Sequence, residues 1–222
     1  MATIGFIGSG NIGGTVARLA AAAGYHVVLS NSRGPQTVED LAAEIGPLAS
    51  AGTATQAAQA GDLVVVSIPL KAYRDVPVAS LAGKTVTDTN NYYPQRDGQI
   101  SELDDGSACS SELLQRHLPA AHVVKAFNNI FYRHLANLAR PAGAPDRSAL
   151  PIAGDDDAAK KTVTAFLDAI GYDTVDSGAL AGSWCQEPGS PVYGGVYGEF
   201  DNHAGTPAPA TAVRAKISGA SR

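Results

Sequence analysis

Apolar and polar positions along the chain alternate between two rhythms. Thr3 to Ile7 (TIGFI) is an apolar run of strand length that leads straight into the glycine-rich stretch Gly8-Ser9-Gly10-Asn11-Ile12-Gly13-Gly14. After the glycines, Ile12, Val16, Leu19 and Ala23 recur at i, i+4, i+7 and i+11, the stripe of a helix that stops at Gly24. Tyr25 to Ser30 predicts a second strand, and Val38, Leu41, Ala42 and Ile45 a second helix closed by Gly46-Pro47. Asp62 to Ile68 (DLVVVSI) is almost continuously apolar, as a central parallel strand covered on both faces must be. Further strands are expected at 84–87, 122–127, 150–153 and 172–176, alternating with helices that include 110–117 and 157–170. The last of these carries the stripe Val163, Phe166, Leu167, Ile170 and ends at Gly171. The alternation predicts an α/β fold with a doubly wound, mostly parallel sheet.

That pattern occupies residues 1–178 and leaves little room for a separate substrate domain in 222 residues. Residues 179–200 are rich in glycine, proline and aromatics without a period, and are expected to form a short C-terminal cap or ordered loop. Residues 201–222, rich in Ala, Pro, Thr and Gly, are expected to be a poorly ordered tail. The net charge of −5 argues against a nucleic-acid binder, which needs a dense basic footprint. No stretch reaches the roughly 18 apolar residues of a membrane span. The first strand begins by Thr3, too early for a secretory leader, so the expected location is the cytoplasm. Cys109 and Cys185 form no CxxC pair and read as reduced thiols.

Gly8-x-Gly10-x-x-Gly13 is the dinucleotide fingerprint, and its setting gives it weight: it follows a strand, opens a striped helix and sits in a βαβ unit. Gly8 permits the tight turn, Gly10 the approach of a pyrophosphate, and Gly13 close packing of helix on strand. The amides of Gly10, Asn11 and Ile12, with Ser9 beside them, then face an anion at the positive helix end. The fold expected is therefore the Rossmann-type NAD(P)-binding fold. Where an NAD enzyme places Asp or Glu after the second strand, this chain has Ser30-Asn31-Ser32-Arg33. Nothing there repels a 2′-phosphate, and Asn31, Ser32 and Arg33 can bind one, which favours NADP(H). The competing reading makes Arg33 a solvated loop residue.

Ser67-Ile68-Pro69, Asp88 to Pro94 and Lys125 to Asn129 follow successive strands, at the edge where open α/β sheets bind ligands. Ser67, Ile68, Pro69 and Asn90 are expected around the nicotinamide. For Asn90 and Asn128 a turn-forming role is the alternative; Lys125 is a candidate acid or phosphate ligand, although a strand-end lysine is more often solvated. Asp155-Asp156-Asp157 resembles a metal cluster but precedes a striped helix and reads as an N-cap, so no metal is expected. No HExxH or GxSxG set supplies catalytic residues, which fits hydride transfer between two stacked rings, where the site supplies alignment.

Through IGFIGSGNIGG, VVLSNSRGP, DLVVVSIP, VVKAFNNI, PIAGDDDAAK and DSGAL, residues 3–180 resemble the coenzyme F420-dependent NADP oxidoreductases. Similar motifs occur in the cytosolic NADPH-binding domain of membrane-bound ferric reductases. The resemblance implies NADPH on the glycine loop, its 2′-phosphate near Asn31, Ser32 and Arg33, a deazaflavin stacked near Ser67-Ile68-Pro69, and a homodimer. The chain departs from the family in its C-terminal part, at Glu187-Pro-Gly-Ser-Pro-Val-Tyr193, so the acceptor could be F420, a flavin, a quinone or a small carbonyl or imine. Trp184, Tyr193 and Tyr197 could cap a flat ring or plug the fold. A non-catalytic NADP(H)-sensing module is the reading from another class.

Overall fold

The computed structural model describes residues 1–221. Strand β1 (Thr3–Ile7) runs into helix α1 (Asn11–Ala22), followed by β2 (His26–Ser30), α2 (Glu39–Ile45), β3 (Ala49–Ala51), α3 (Ala54–Ala60) and β4 (Leu63–Val66). The second half holds β5 (Thr85–Asp88), the short α4 (Pro94–Asp97) and α5 (Ser101–Asp104), α6 (Ser110–His117), β6 (His122–Lys125) and α7 (Tyr132–Asn137). The chain ends with β7 (Ala149–Gly154), α8 (Asp157–Ala169), β8 (Asp173–Asp176) and α9 (Ala210–Ser218).

The strands form one sheet in the order β3-β2-β1-β4-β5-β6-β7-β8. The first six are parallel, β7 runs antiparallel to β6, and β8 parallel to β7. This is the Rossmann strand order extended by two strands, with the chain reversing direction across the sheet between β1 and β4. The two faces are read off alternate residues: Leu63 and Val65 join Phe6 and Leu29 in one core, while Val64 and Val66 join Ile7 and Val86 in the other. All four residues of β4 are buried, as its apolar run predicted.

Two expectations need correction, and two elements carry no periodic signal. The stripe on α1 is displaced: its buried residues are Gly13, Gly14, Thr15, Val16, Ala17 and Ala20, whereas Ile12 and Leu19 are half-buried and Ala23 is exposed. Small side chains let the helix lie close on the sheet, so the larger ones fall at its margin. Strand β3 and helix α3 were not visible as periodic segments. The first is three residues long and the second, ATQAAQA, is alanine-rich; a capping box between Thr53 and Gln56 starts it. Finally, residues 210–218 of the expected tail form α9, whose Val213 is fully buried against β7 and β8. Tertiary burial of Val213 and Ala208 orders a segment whose composition alone would not, while Arg222 lies outside the described residues.

Candidate active site

The glycine loop owes its shape to backbone contacts. Gly8 has φ +98°, and a Cβ on it would come within 2.1 Å of the Ser67 carbonyl oxygen. A Cβ on Gly13 would lie 2.1 Å from the Gly8 carbonyl oxygen, so the start of α1 packs directly on the turn. Gly10 differs: a Cβ there would meet nothing within 4 Å, and no side chain caps the helix. The first amides of α1 therefore face open space at the positive end of the helix dipole. Ser9 Oγ donates to the Ser30 carbonyl (3.0 Å), and Gly8 N–H donates to the same oxygen (3.0 Å), tying the loop to the end of β2.

Asn31, Ser32 and Arg33 follow at that end, half-buried to exposed. Asn31 Oδ1 accepts from Arg33 N–H (2.8 Å) and Thr37 Oγ1 (2.8 Å), so the carbonyl of Asn31 shapes the turn. Arg33 makes no ion pair among the described residues and is exposed to solvent.

On the other side of the loop, a cleft of about 410 Å³ opens along the ends of β1, β4, β5 and β6. Gly10, Asn11, Ile12, Ser67, Ile68, Pro69 and Asn90 line it, while Asn31, Ser32 and Arg33 do not. Its far wall is aromatic, with Tyr93, Phe131, Tyr132, Tyr193 and Phe200, while the side chain of Phe127, which also borders it, is buried in the core. Phe127, with φ +63°, turns the chain sharply at the end of β6 and delivers residues 128–132 to the cleft. The side chain of Asn90 is fixed, since its Oδ1 accepts from Ile68 N–H (3.0 Å); its Nδ2 is buried with no partner. The residues thus fit a dinucleotide: uncapped helix amides, open space over Gly10, and a free amide donor beside the strand ends where a nicotinamide ring would lie.

Beneath the cleft lies a network of buried charge. Lys125 is fully buried, not solvated, and its Nζ donates to Ser110 Oγ (2.7 Å), Ser111 Oγ (3.0 Å) and the Asn90 carbonyl (3.1 Å), with Glu187 Oε1 at 3.3 Å. Asp88 accepts from Ser111 Oγ (2.6 Å) and Asn90 N–H (2.9 Å), and burial pushes its carboxyl above the usual carboxylate range although Lys125 pulls it down. Both backbone groups of Asn90 are therefore held by buried ionisable side chains. The same strand end grips the 179–200 segment: Asn128 Nδ2 donates to the Gln186 carbonyl (2.7 Å) and Asn129 Nδ2 to the Val192 carbonyl (3.1 Å). Asn90, Asn128 and Asn129 thus tie loops together, and Asn128 is no simple turn former.

Of the three aromatics that could cap a ring, only Tyr193 lines the cleft, where its hydroxyl bonds that of Tyr93; burial raises its pKa. Tyr197 is a core plug, its hydroxyl donating to the Ala149 carbonyl (2.8 Å), and Trp184 lines a separate hollow near Leu103. Phe131, Tyr132 and Phe200 escaped the sequence reading. The run Phe-Asn-Asn-Ile-Phe-Tyr directly after a strand was the available signal for the first two; Phe200 had none. Asp156 caps α8 by accepting from Ala159 N–H (2.7 Å), and no cluster able to hold a metal occurs among the described residues. No helix among them is long and apolar enough to cross a membrane.

Residues 3–92, which hold the glycine loop and both adjoining strand ends, match the family of coenzyme F420-dependent NADP oxidoreductases. Over this stretch, less than half of the 222 residues, the chain is similar to that family. The rat metalloreductase STEAP3 is 30% identical over 182 residues, 80% of this chain but 34% of that protein. The chain spans between a third and two fifths of the length of the curated relatives it matches. Among solved structures, the hypothetical protein SMa0349 of Sinorhizobium meliloti is 30% identical with a TM-score of 0.74, covering 86% of this chain and 93% of its own. A protein of Arthrobacter sp. FB24 described as a putative F420-dependent NADP reductase shares the fold at 24% identity and a TM-score of 0.69, over 81% of this chain and 86% of its own. The family's match ends at residue 92, ahead of the aromatic wall and the buried lysine.

Proposed function

We propose that the protein passes a hydride between NADP(H) and a planar acceptor, a deazaflavin such as F420 or a flavin-like ring, lying in the aromatic cleft. The observation that carries this reading is the cleft itself, which joins the dinucleotide loop to a wall of five aromatic side chains. NADPH, when bound, supplies the hydride. The amides of Gly10, Asn11 and Ile12 hold its pyrophosphate, and Asn31, Ser32 and Arg33 receive the 2′-phosphate. Ser67, Ile68 and Pro69 form the surface for the nicotinamide, and Asn90 offers its free Nδ2 to a carbonyl oxygen. Segment 179–200 serves as the cap, with Tyr193 excluding water from the acceptor side.

A second reading, reduction of a small carbonyl, imine or quinone, is favoured by the bonded hydroxyls of Tyr93 and Tyr193, which place a hydrogen-bond donor in the cleft for a substrate oxygen or nitrogen. Anaerobic stopped-flow of NADPH against F420, FMN, FAD and riboflavin separates the readings. Rapid stoichiometric bleaching of one acceptor identifies its class. Inertness toward all four with turnover of a carbonyl, imine or quinone selects the second, and tight NADPH binding without any oxidation selects an NADP(H)-sensing module.

A further inference from the structure

A second, larger hollow of about 660 Å³ runs between α1 and α7, lined by Thr15, Arg18, Leu19, Ala22, Tyr132, Arg133, Ala136, Asn137 and His203. Tyr132 also lines the redox cleft, and it borders a third hollow at the glycine loop that includes Thr15 and Arg18. The three spaces therefore meet at one side chain. No Asp or Glu lines any of them, in a chain where acids outnumber bases 21 to 16. Arg18 is matched at the groove's edge by Glu44, in a two-pronged pair at 2.8 and 2.9 Å. Arg133 has no carboxylate partner among the described residues: its Nε donates to Tyr132 Oη (3.0 Å) and its Nη1 to His203 Nδ1 (3.2 Å). A guanidinium can only donate, so Nδ1 of His203 accepts and Nε2 carries the ring proton, a second donor in the groove. Asn137 Nδ2 holds the His203 carbonyl (2.8 Å) and so fixes that residue. An arginine held in place by neutral partners keeps its charge available to a ligand.

We propose that the α1–α7 groove binds an anionic side chain of the acceptor, a phosphate or carboxylate that passes over Tyr132 from the cleft to Arg133 and His203. The inference rests on the reading that a planar acceptor occupies the cleft, and adds what that acceptor carries. The nucleotide has its own phosphate partners in the α1 amides and Arg33, on the β2 side of the loop, which leaves the groove to the second ligand. Its apolar floor of Leu19, Ala22 and Ala136 suits the methylene stretches of such a chain.

The test compares ligands that differ in the tail alone: riboflavin against FMN, and the deazaflavin chromophore without its side chain against F420. Binding is followed by quenching of ligand fluorescence on the full chain with NADP⁺ present. We expect the anionic member of at least one pair to bind at least tenfold more tightly, with the advantage falling as salt rises. Arg133→Gln should remove that advantage and leave the uncharged member's affinity unchanged. Arg133→Lys, which keeps the charge, should restore part of it. Equal affinity within both pairs, no binding of any of the four, or an equal loss for charged and uncharged ligands in Arg133→Gln overturns the proposal. If the tail dependence holds but NADPH is not oxidised by the bound ligand, the groove assignment stands and the hydride-transfer reading falls.

Discussion

The two sides of the cleft are built from different materials. On the glycine-loop side the available groups are backbone: the first amides of α1, a carbonyl shared by Gly8 and Ser9, and glycines that leave the backbone open or closely packed. Beneath the cleft the groups that hold its walls are side chains brought from far apart, with Ser110, Ser111, Glu187 and the Asn90 carbonyl meeting around the ammonium of Lys125. A backbone site tolerates sequence change wherever side chains point away, and fails when a methyl group enters the wrong place. A side-chain site fails when one partner is lost, because those remaining are buried without a counter-charge.

The largest effect should come from Lys125→Met, which leaves Asp88 and Glu187 without their cation. Breaking a buried pair in this way costs about 3–5 kcal/mol, to be read from urea unfolding; a loss below ~1 kcal/mol would remove the contrast between the two sides. Next, the glycines can be played against each other. Gly13→Ala places a methyl against the Gly8 carbonyl, and a clash of that kind is expected to cost about 1–3 kcal/mol of stability as well as NADPH affinity. Gly10→Ala meets nothing in the protein, so it should leave thermal stability in place while NADPH affinity falls roughly tenfold, about 1.4 kcal/mol. Matching losses in both variants, by calorimetry and titration, would mean that Gly10 is structural too.

Arg33→Ala should weaken NADPH at least tenfold, as loss of a charge-assisted bond worth roughly 1.5–3 kcal/mol implies, and leave NADH nearly unchanged. Equal losses for the two nucleotides would take the 2′-phosphate away from this loop. The smallest effect is a slope. Burial keeps the Asp88 proton on to higher pH in the folded protein than in the unfolded chain. The stability this adds is complete below the ordinary carboxylate pKa of about 4 and is lost as pH rises through the folded value. Wild-type protein should therefore lose stability relative to Asp88→Asn as pH rises from about 4, measured by urea unfolding across that range. A constant difference would mean that Asp88 titrates normally.

Much of the dinucleotide side was legible in the sequence because its requirements are local. The fingerprint, the stripe on α8, the apolar run of β4 and the N-cap at Asp156 each lie within a dozen residues, where period and spacing speak for themselves. The absence of an acid at 30–33 is equally local. By itself, then, the sequence determined the strand–helix alternation, the parallel sheet and the place of the glycine loop.

Only the tertiary structure decided the rest. Lys125 looks like a solvated strand end until Ser110, Ser111 and Glu187 close around it across 15, 14 and 62 positions of chain. Tyr197 and Tyr193 stand four residues apart in one glycine-rich stretch, yet one plugs the core and the other faces the cleft. Helix α9 has weak local signals and forms because β7 and β8 offer Val213 an apolar seat. Period and composition report what a segment does alone; burial of a charge, the facing of a ring and the ordering of a weak helix depend on partners that distant segments provide.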